Sequence, residues 1–277
     1  MEAPIPSFKS HSKKFQICGH SNGIVCLSTD DHARVLLYNP LTREFRDLPN
    51  DGEWLGVWYS SPSDVAVGMG YDSSINDFKV IRIRETGRMT WAEQYTLGLN
   101  TNSWTVMPNS NSELFDFDSD SFALCFNRTF YWWAWYFEGS SFVIVALNMD
   151  DDGVFQIVPK PPRACIGEPH DRSLTVWNDS ISLVCYNYDF DVDIWVMDGF
   201  CSWKPMRTIK HLTKVPKPLV FWKGNELLME MVSWGEIKSY NVDTKEIKDV
   251  LQTDGLISDF QAVNYVASLV QLKGEYL

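Results

Sequence analysis

The sequence predicts an all-β chain, a β-propeller of about five four-stranded, blade-like repeats with a C-terminal closing strand. A recurring β-corner is the first sign. LLYNPLTREFRDLP at 36–49 places an apolar run before Asn39-Pro40 and a second run after it. Related corners follow, with polar pivots at Asn39, Asn100, Asn148, Asp198 and Asn241. A large apolar residue trails each of them: Phe45, Trp104, Phe155, Trp203 and Ile247. The pivots are spaced by 61, 48, 50 and 43 residues, close to the ~40–50-residue period of a propeller blade. Aromatic content is the second sign: 12 Trp, 11 Tyr and 16 Phe, residues that favour strands and fill tapering sheet packings. Third, Gly, Pro or β-branched residues interrupt every window of helical length.

The elements follow in chain order. The first group is 15–18, 23–28, 34–38 and 44–48, with a Gly19-to-Gly23 turn in which two glycines and an asparagine allow positive φ. The second is 65–71, 78–84, 91–99 and 104–107; its strand at 78–84 is expected to be buried on both faces for part of its length. Residues 109–120 read as an acidic connector. The third group is 121–126, 129–137, 141–148 and 154–158, the fourth 174–177, 182–186, 193–197 and 204–209, and the fifth 219–222, 226–232, 236–240 and 246–251. A last apolar run at 265–272 is expected to return to the first group and close the ring. Residues 1–14 form a polar lead-in, 15–272 the domain and 273–277 a tail. Five sheets set in a ring bury both faces and leave only short edges, whereas twenty strands are too many for one sandwich.

A chain of 277 residues that is 45% hydrophobic can build a substantial core. Its net charge of −12 argues against nucleic acid and anionic lipid as partners, and fits simple solubility or a basic partner. The six cysteines lie mostly in apolar strand-like runs and form no Cys-x-x-Cys pair, so they read as reduced and buried. No apolar signal segment opens the chain, and its longest apolar run, 130–137, is far short of the ~20 residues that span a bilayer. A cytosolic or nuclear compartment is expected.

Few residues suggest chemistry. GHSNG at 19–23 matches the nucleophile-elbow pattern, which needs a helix after the serine. The run after Ser21 is β-prone, so a hairpin turn is the expected reading and a hydrolase the remote one. Cys18, His20, Cys26 and His32 match no zinc spacing, and no metal or cofactor is expected. Three acidic clusters are the candidate partner-binding residues: Asp116, Asp118 and Asp120; Asp150, Asp151 and Asp152; Asp189, Asp191 and Asp193. The first and third resemble the start of a calcium loop but lack its glycine and its late glutamate. Solvated loops and a negative rim for a basic protein both remain open.

Eight segments together resemble the F-box-associated domain of plant F-box proteins, with the S-locus F-box group of self-incompatibility as the nearest match. GHSNGIVCL and LLYNPLTREFRDLP resemble the family's Gly-x-x-Asn-Gly and Asn-Pro-x-Thr-Arg runs. VGMGYDSSINDFKVIRI resembles its Gly-(aromatic)-Asp…Asp-(aromatic)-Lys-Val run. NRTFYWWA, LTVWNDSISLVCY, DIWVMDGF, PLVFWKGNELLM and KSYNVDTKEIKDV follow in order. The resemblance implies a kelch-like β-propeller, although the double glycine of true kelch repeats is missing. It also implies the target-reading, non-catalytic half of a Skp–cullin–F-box ubiquitin ligase, and basic S-ribonucleases as targets. The helical F-box expected ahead of Phe15 does not fit in 1–14. A Skp-type adaptor and cullin are therefore expected as partners only if the full protein carries an F-box. Without one, the chain would compete with full-length relatives for their targets.

Overall fold

Short β-prone runs bounded by Asn, Gly and basic turn residues favour antiparallel hairpins, and such hairpins make up the fold. The computed structural model describes residues 15–29, 34–49, 63–86, 89–98, 102–110, 115–118, 123–150, 153–161, 172–187, 189, 191–199, 202–210, 216–231, 235–252 and 260–276. The chain divides into two units, Met1–Ile157 with Tyr265–Leu277, and Val158–Asn264.

The first unit holds three sheets. The first is β1 (Phe15–Ser21), β2 (Ile24–Thr29), β3 (Val35–Asn39) and β4 (Glu44–Asp47). The second is β5 (Ser63–Asp72), β6 (Asp77–Thr86), β7 (Met89–Thr96) and β8 (Thr105–Val106). The third contains β9 (Phe115–Phe117), β10 (Leu124–Phe126), β11 (Thr129–Tyr136), β12 (Ser141–Asn148) and β13 (Gln156–Val158). The second unit holds β14 (Arg172–Trp177), β15 (Ser180–Tyr186), β16 (Val192–Met197) and β17 (Trp203–Ile209) as one sheet. Its other sheet is β18 (Pro216–Trp222), β19 (Glu226–Met231), β20 (Glu236–Asn241) and β21 (Ile247–Gln252). Five four-strand-wide antiparallel sheets are the blades that the sequence predicts.

Three differences from the sequence reading have physical causes. Residues 115–117 lie in the segment read as a connector, yet they form β9, with Phe115 and Phe117 buried and Asp116 exposed between them. β9 pairs with 134–136 of β11 while β10 pairs with 129–131, so the two fill one strand position end to end. β18 starts at Pro216 rather than 219; prolines are tolerated on an edge strand, and the register shifts between Pro218 and Val220. The closing strand is β22 (Glu275–Tyr276), which pairs with β4. The apolar run 265–272 is not a strand: Val266 and Leu269 are 73% and 80% exposed.

Side chains take the place of a ladder for that run. The Asn39 amide donates to the carbonyls of Ser268 and Val270, both at 2.9 Å. The buried Glu44 carboxylate accepts from the backbone N–H groups of Leu272 and Gly274, both at 2.9 Å. Gly23, at φ 80°, lets the strap pass: a Cβ there would sit 2.5 Å from the Val266 carbonyl oxygen.

The corner around Asn39 recurs at Asn241 in atomic detail. The Asn39 side-chain oxygen accepts from the N–H groups of Leu41 and Thr42, and that of Asn241 from Asp243 and Thr244. The hydroxyls of Thr42 and Thr244 each accept from the following Glu N–H at 3.4 Å. Arg43 and Lys245 take φ of 61° and 63°, and their N–H groups bond the Asn carbonyls. Asx turns of this kind set the corner through side-chain oxygens. Asn148 accepts likewise from Asp150 N–H, whereas Asn100 lies outside the described residues.

Cores form between neighbouring sheets. Cys18, Cys26 and Leu37 of the first sheet pack with Met69, Val80 and Tyr95 of the second, and with Leu272 of the strap. Ile81, Ile83 and Ala92 pack on Phe117, Phe130, Trp132 and Val145 of the third sheet. In the second unit Val184 and Ile194 meet Phe221, Leu227 and Met229, and Trp177 stacks on Phe221 at 4.7 Å between centroids. Each large side chain so buried contributes about 1.5–3 kcal/mol of transfer free energy.

Candidate functional site

Tight hairpins bring turn residues of the first unit to one place. Ser21 and Asn22 come from the β1–β2 turn, Tyr71 and Ser73 from β5–β6, and Cys125, Asn127 and Arg128 from β10–β11. They line an open depression of about 400 Å³. Asn22, Asn127 and Arg128 have φ of 44°, 48° and 61°, the left-handed region that tight hairpin turns need. Close packing lies beneath: a Cβ on Gly70 would approach the Cys125 Sγ to 2.2 Å.

An ionic network fixes this rim. The Asp72 carboxylate, with its side chain 1% exposed, pairs with Lys79 Nζ at 2.7 Å and Arg128 Nη2 at 2.8 Å. The Ser74 hydroxyl and N–H also donate to it, at 2.7 Å and 3.0 Å. Arg128 donates in turn to Ser74 Oγ and Asp150. Burial pushes the Asp72 carboxyl up, but the hydrogen bonds from Lys79 and Ser74 and the Lys79 charge outweigh it, holding the group well below the usual carboxylate range. A depressed folded-state pKa adds stability that is complete above ~4 and is lost as pH falls toward the folded value. Asp72→Asn is thus expected to cost about 1–2 kcal/mol at pH 7. Urea midpoints should show that difference shrinking steadily below pH 4; a difference independent of pH would contradict the assignment.

The structure separates the acidic clusters within the first unit. Asp116 is exposed on β9 opposite Trp135, and Asp118 follows it, its N–H bonded to the Trp133 carbonyl. Asp150 lies near the other end of β11, paired with Arg128. β11 has 8 residues, so the two clusters stand ~23 Å apart along the strand at ~3.3 Å per residue. In the second unit Asn187 organises the third cluster. Its side-chain oxygen accepts from the N–H groups of Asp189 and Asp191, at 2.9 Å and 3.2 Å. Asp193 lies on β16 and accepts from the Thr208 hydroxyl at 2.6 Å. Asp120, Asp151 and Asp152 lie outside the described residues. Among the described residues, no group of three His, Cys, Asp or Glu side chains is placed to hold a metal.

Ser21 ends β1 and pairs with Ile24 of β2 across the Asn22-Gly23 turn, so it sits in a hairpin, not a strand-to-helix elbow. His20 precedes it, and neighbouring strand residues point to opposite faces; burial lowers the His20 pKa. Burial, with Asp72 nearby, pushes the Cys125 thiol up to about 12, which favours its neutral form. The sequence reading missed Asp72, Tyr71 and Arg128. The Asp-x-x-x-x-Asp-(aromatic)-Lys run at 72–79 was its signal, since Asp72 and Lys79 meet across that hairpin.

Residues 4–237 match the family described as the F-box associated beta propeller domain. The chain belongs to this family. It is 26% identical to an F-box/kelch-repeat protein of Arabidopsis thaliana, covering 79% of this chain and 59% of that one. It is 27% identical to the F-box protein CPR1 of Arabidopsis thaliana, covering 92% and 68%. The chain thus spans little more than half the length of the first of these relatives. Among solved structures a luciferin-regenerating enzyme shares the fold, with a TM-score of 0.50 at 11% identity, covering 83% of this chain and 73% of that one. No described helix of this F-box-associated domain is long and apolar enough to cross a membrane.

Proposed function

We propose that this domain is the target-reading part of a Skp–cullin–F-box ubiquitin ligase, without a catalytic site of its own, and that it reads basic proteins of the S-ribonuclease class. The family match over 4–237 carries the reading, supported by relatives named as F-box proteins. A net charge of −12 suits a basic target, chiefly by speeding encounter. The polar depression and the exposed Asp116 and Asp189 offer contact points on the respective units. A Skp-type adaptor and cullin join where an F-box accompanies the domain, in the cytosol or nucleus.

Binding to a panel of allelic S-ribonucleases tests this. Affinity is expected to fall ~10-fold or more between 50 and 500 mM salt, as screening weakens exposed charge pairs. Asp116→Lys and Asp189→Lys should mainly slow association. Absence of binding across the panel at low salt would reject the target class.

A further inference from the structure

We propose that Cys18 and Cys26 are a redox pair, closing to a disulfide under a peroxide-class oxidant and locking the β1–β2 hairpin. The two sulfurs lie 3.2 Å apart on adjacent antiparallel strands. Ile17 pairs with Leu27 and Gly19 with Cys26, so a bulge places both Cys18 and Gly19 against Cys26. Both thiols point into the core shared with Met69. Neighbouring strands hold paired Cα atoms about 4.5–5.5 Å apart, inside the span that a disulfide bridges. Closure to the ~2.05 Å bond needs the sulfurs to approach by about 1 Å.

Access follows from topology. Cys18 and Cys26 are 4% and 0% exposed, but β1 is a terminal strand of its sheet and is paired on one side alone, with β2. Opening β1 breaks its ladder with β2 and its packing on Met69 of β5, and this local opening is the route by which hydrogen peroxide would enter. The Cys18 thiol sulfur attacks one peroxide oxygen, the O–O bond breaks, and the departing hydroxide takes the thiol proton and leaves as water. Cys18 is now a sulfenic acid. The Cys26 sulfur attacks it, the S–O bond breaks, and a second water carries off the Cys26 proton. The two sulfurs together lose two electrons, and peroxide gains them. Burial and the hydrogen bond with Cys18 raise the Cys26 pKa well above normal, so Cys26 is not the first sulfur to react; its 3.2 Å distance from Cys18 places it for the resolving step.

The locked hairpin carries Ser21 and Asn22 of the depression and Gly23 beneath the strap. Oxidation would therefore stiffen one wall of the candidate site. This inference stands apart from the identity of the target.

The tryptic peptide of residues 15–34 contains both cysteines, which makes the test direct. Folded protein is treated with hydrogen peroxide, alkylated and digested. The expected result is that peptide without alkyl groups and lighter by two hydrogens, reverting on treatment with dithiothreitol. Thermal unfolding should shift upward by several degrees, and the shift should vanish in Cys18→Ser and in Cys26→Ser. Two alkylated thiols after peroxide has oxidised exposed methionines would overturn the proposal. So would a disulfide that forms after denaturation and not in the folded protein.

Discussion

Glu93→Ala is expected to destabilise the second sheet by about 3–5 kcal/mol, the range for removing one partner of a buried ion pair. Arg82, Arg84 and Glu93 are 3%, 8% and 7% exposed. Glu93 accepts from Arg82 Nε at 2.7 Å and from Trp91 Nε1 at 3.1 Å, and Arg84 Nη1 lies 3.7 Å away. Alanine would remove the buried carboxylate that the Arg82 and Arg84 guanidinium groups share. Trp104 adds to the effect. Its ring lies 4.1 Å from the Arg82 guanidinium carbon, and its indole N–H donates to the Pro49 carbonyl, tying the second sheet to the first. Urea unfolding measures the loss. Replacing Arg82, Arg84 and Glu93 together by Met, Leu and Leu should recover most of it, because the desolvation cost of the charges goes with them. A Glu93→Ala change below 1 kcal/mol would contradict Glu93 as the group that holds the two arginines.

Glu44→Ala should cost about 3 kcal/mol, since two charge-assisted hydrogen bonds of roughly 1.5–3 kcal/mol each are lost and the freed N–H groups partly regain water. The strap that leads into β22 loses its anchor, so limited proteolysis should cut near Leu269 well before the rest of the first unit. Glu44→Gln keeps one acceptor and should lie between. The matching change at Glu246, whose side chain is 63% exposed in the equivalent turn, is expected to stay within ~0.5 kcal/mol. Equal losses at the two positions would contradict the assignment of Glu44 as the anchor.

Much of the fold was legible because its signals are local. Asn39 and Asn241 announce their turns by residue type, and so do the Gly and Asn of the β1–β2 hairpin. Phe78-Lys79-Val80-Ile81 revealed a strand buried on both faces, and Arg82 and Arg84 extend that burial with charge rather than carbon. β9 escaped notice because three residues give too little alternation to outweigh three nearby aspartates. The run 265–272 misled for the opposite reason: its composition is strand-like, but side chains of Asn39 and Glu44 satisfy its backbone. Depth at the depression was not legible at all. Ser21, Ser73 and Arg128 are distant in sequence, and their meeting depends on how the hairpins of three sheets align.

The order in which ribosomes make the chain gives the strap a temporal meaning. β4 is among the first strands of this domain to be synthesised, yet its partner β22 lies more than two hundred residues later. At ~5–20 residues per second, the sheet begun first waits about 10–45 s for its last strand. Through that interval Asn39 and Glu44 have donors and acceptors in place and nothing to hold. The first sheet of the domain to begin is thus the last to be completed.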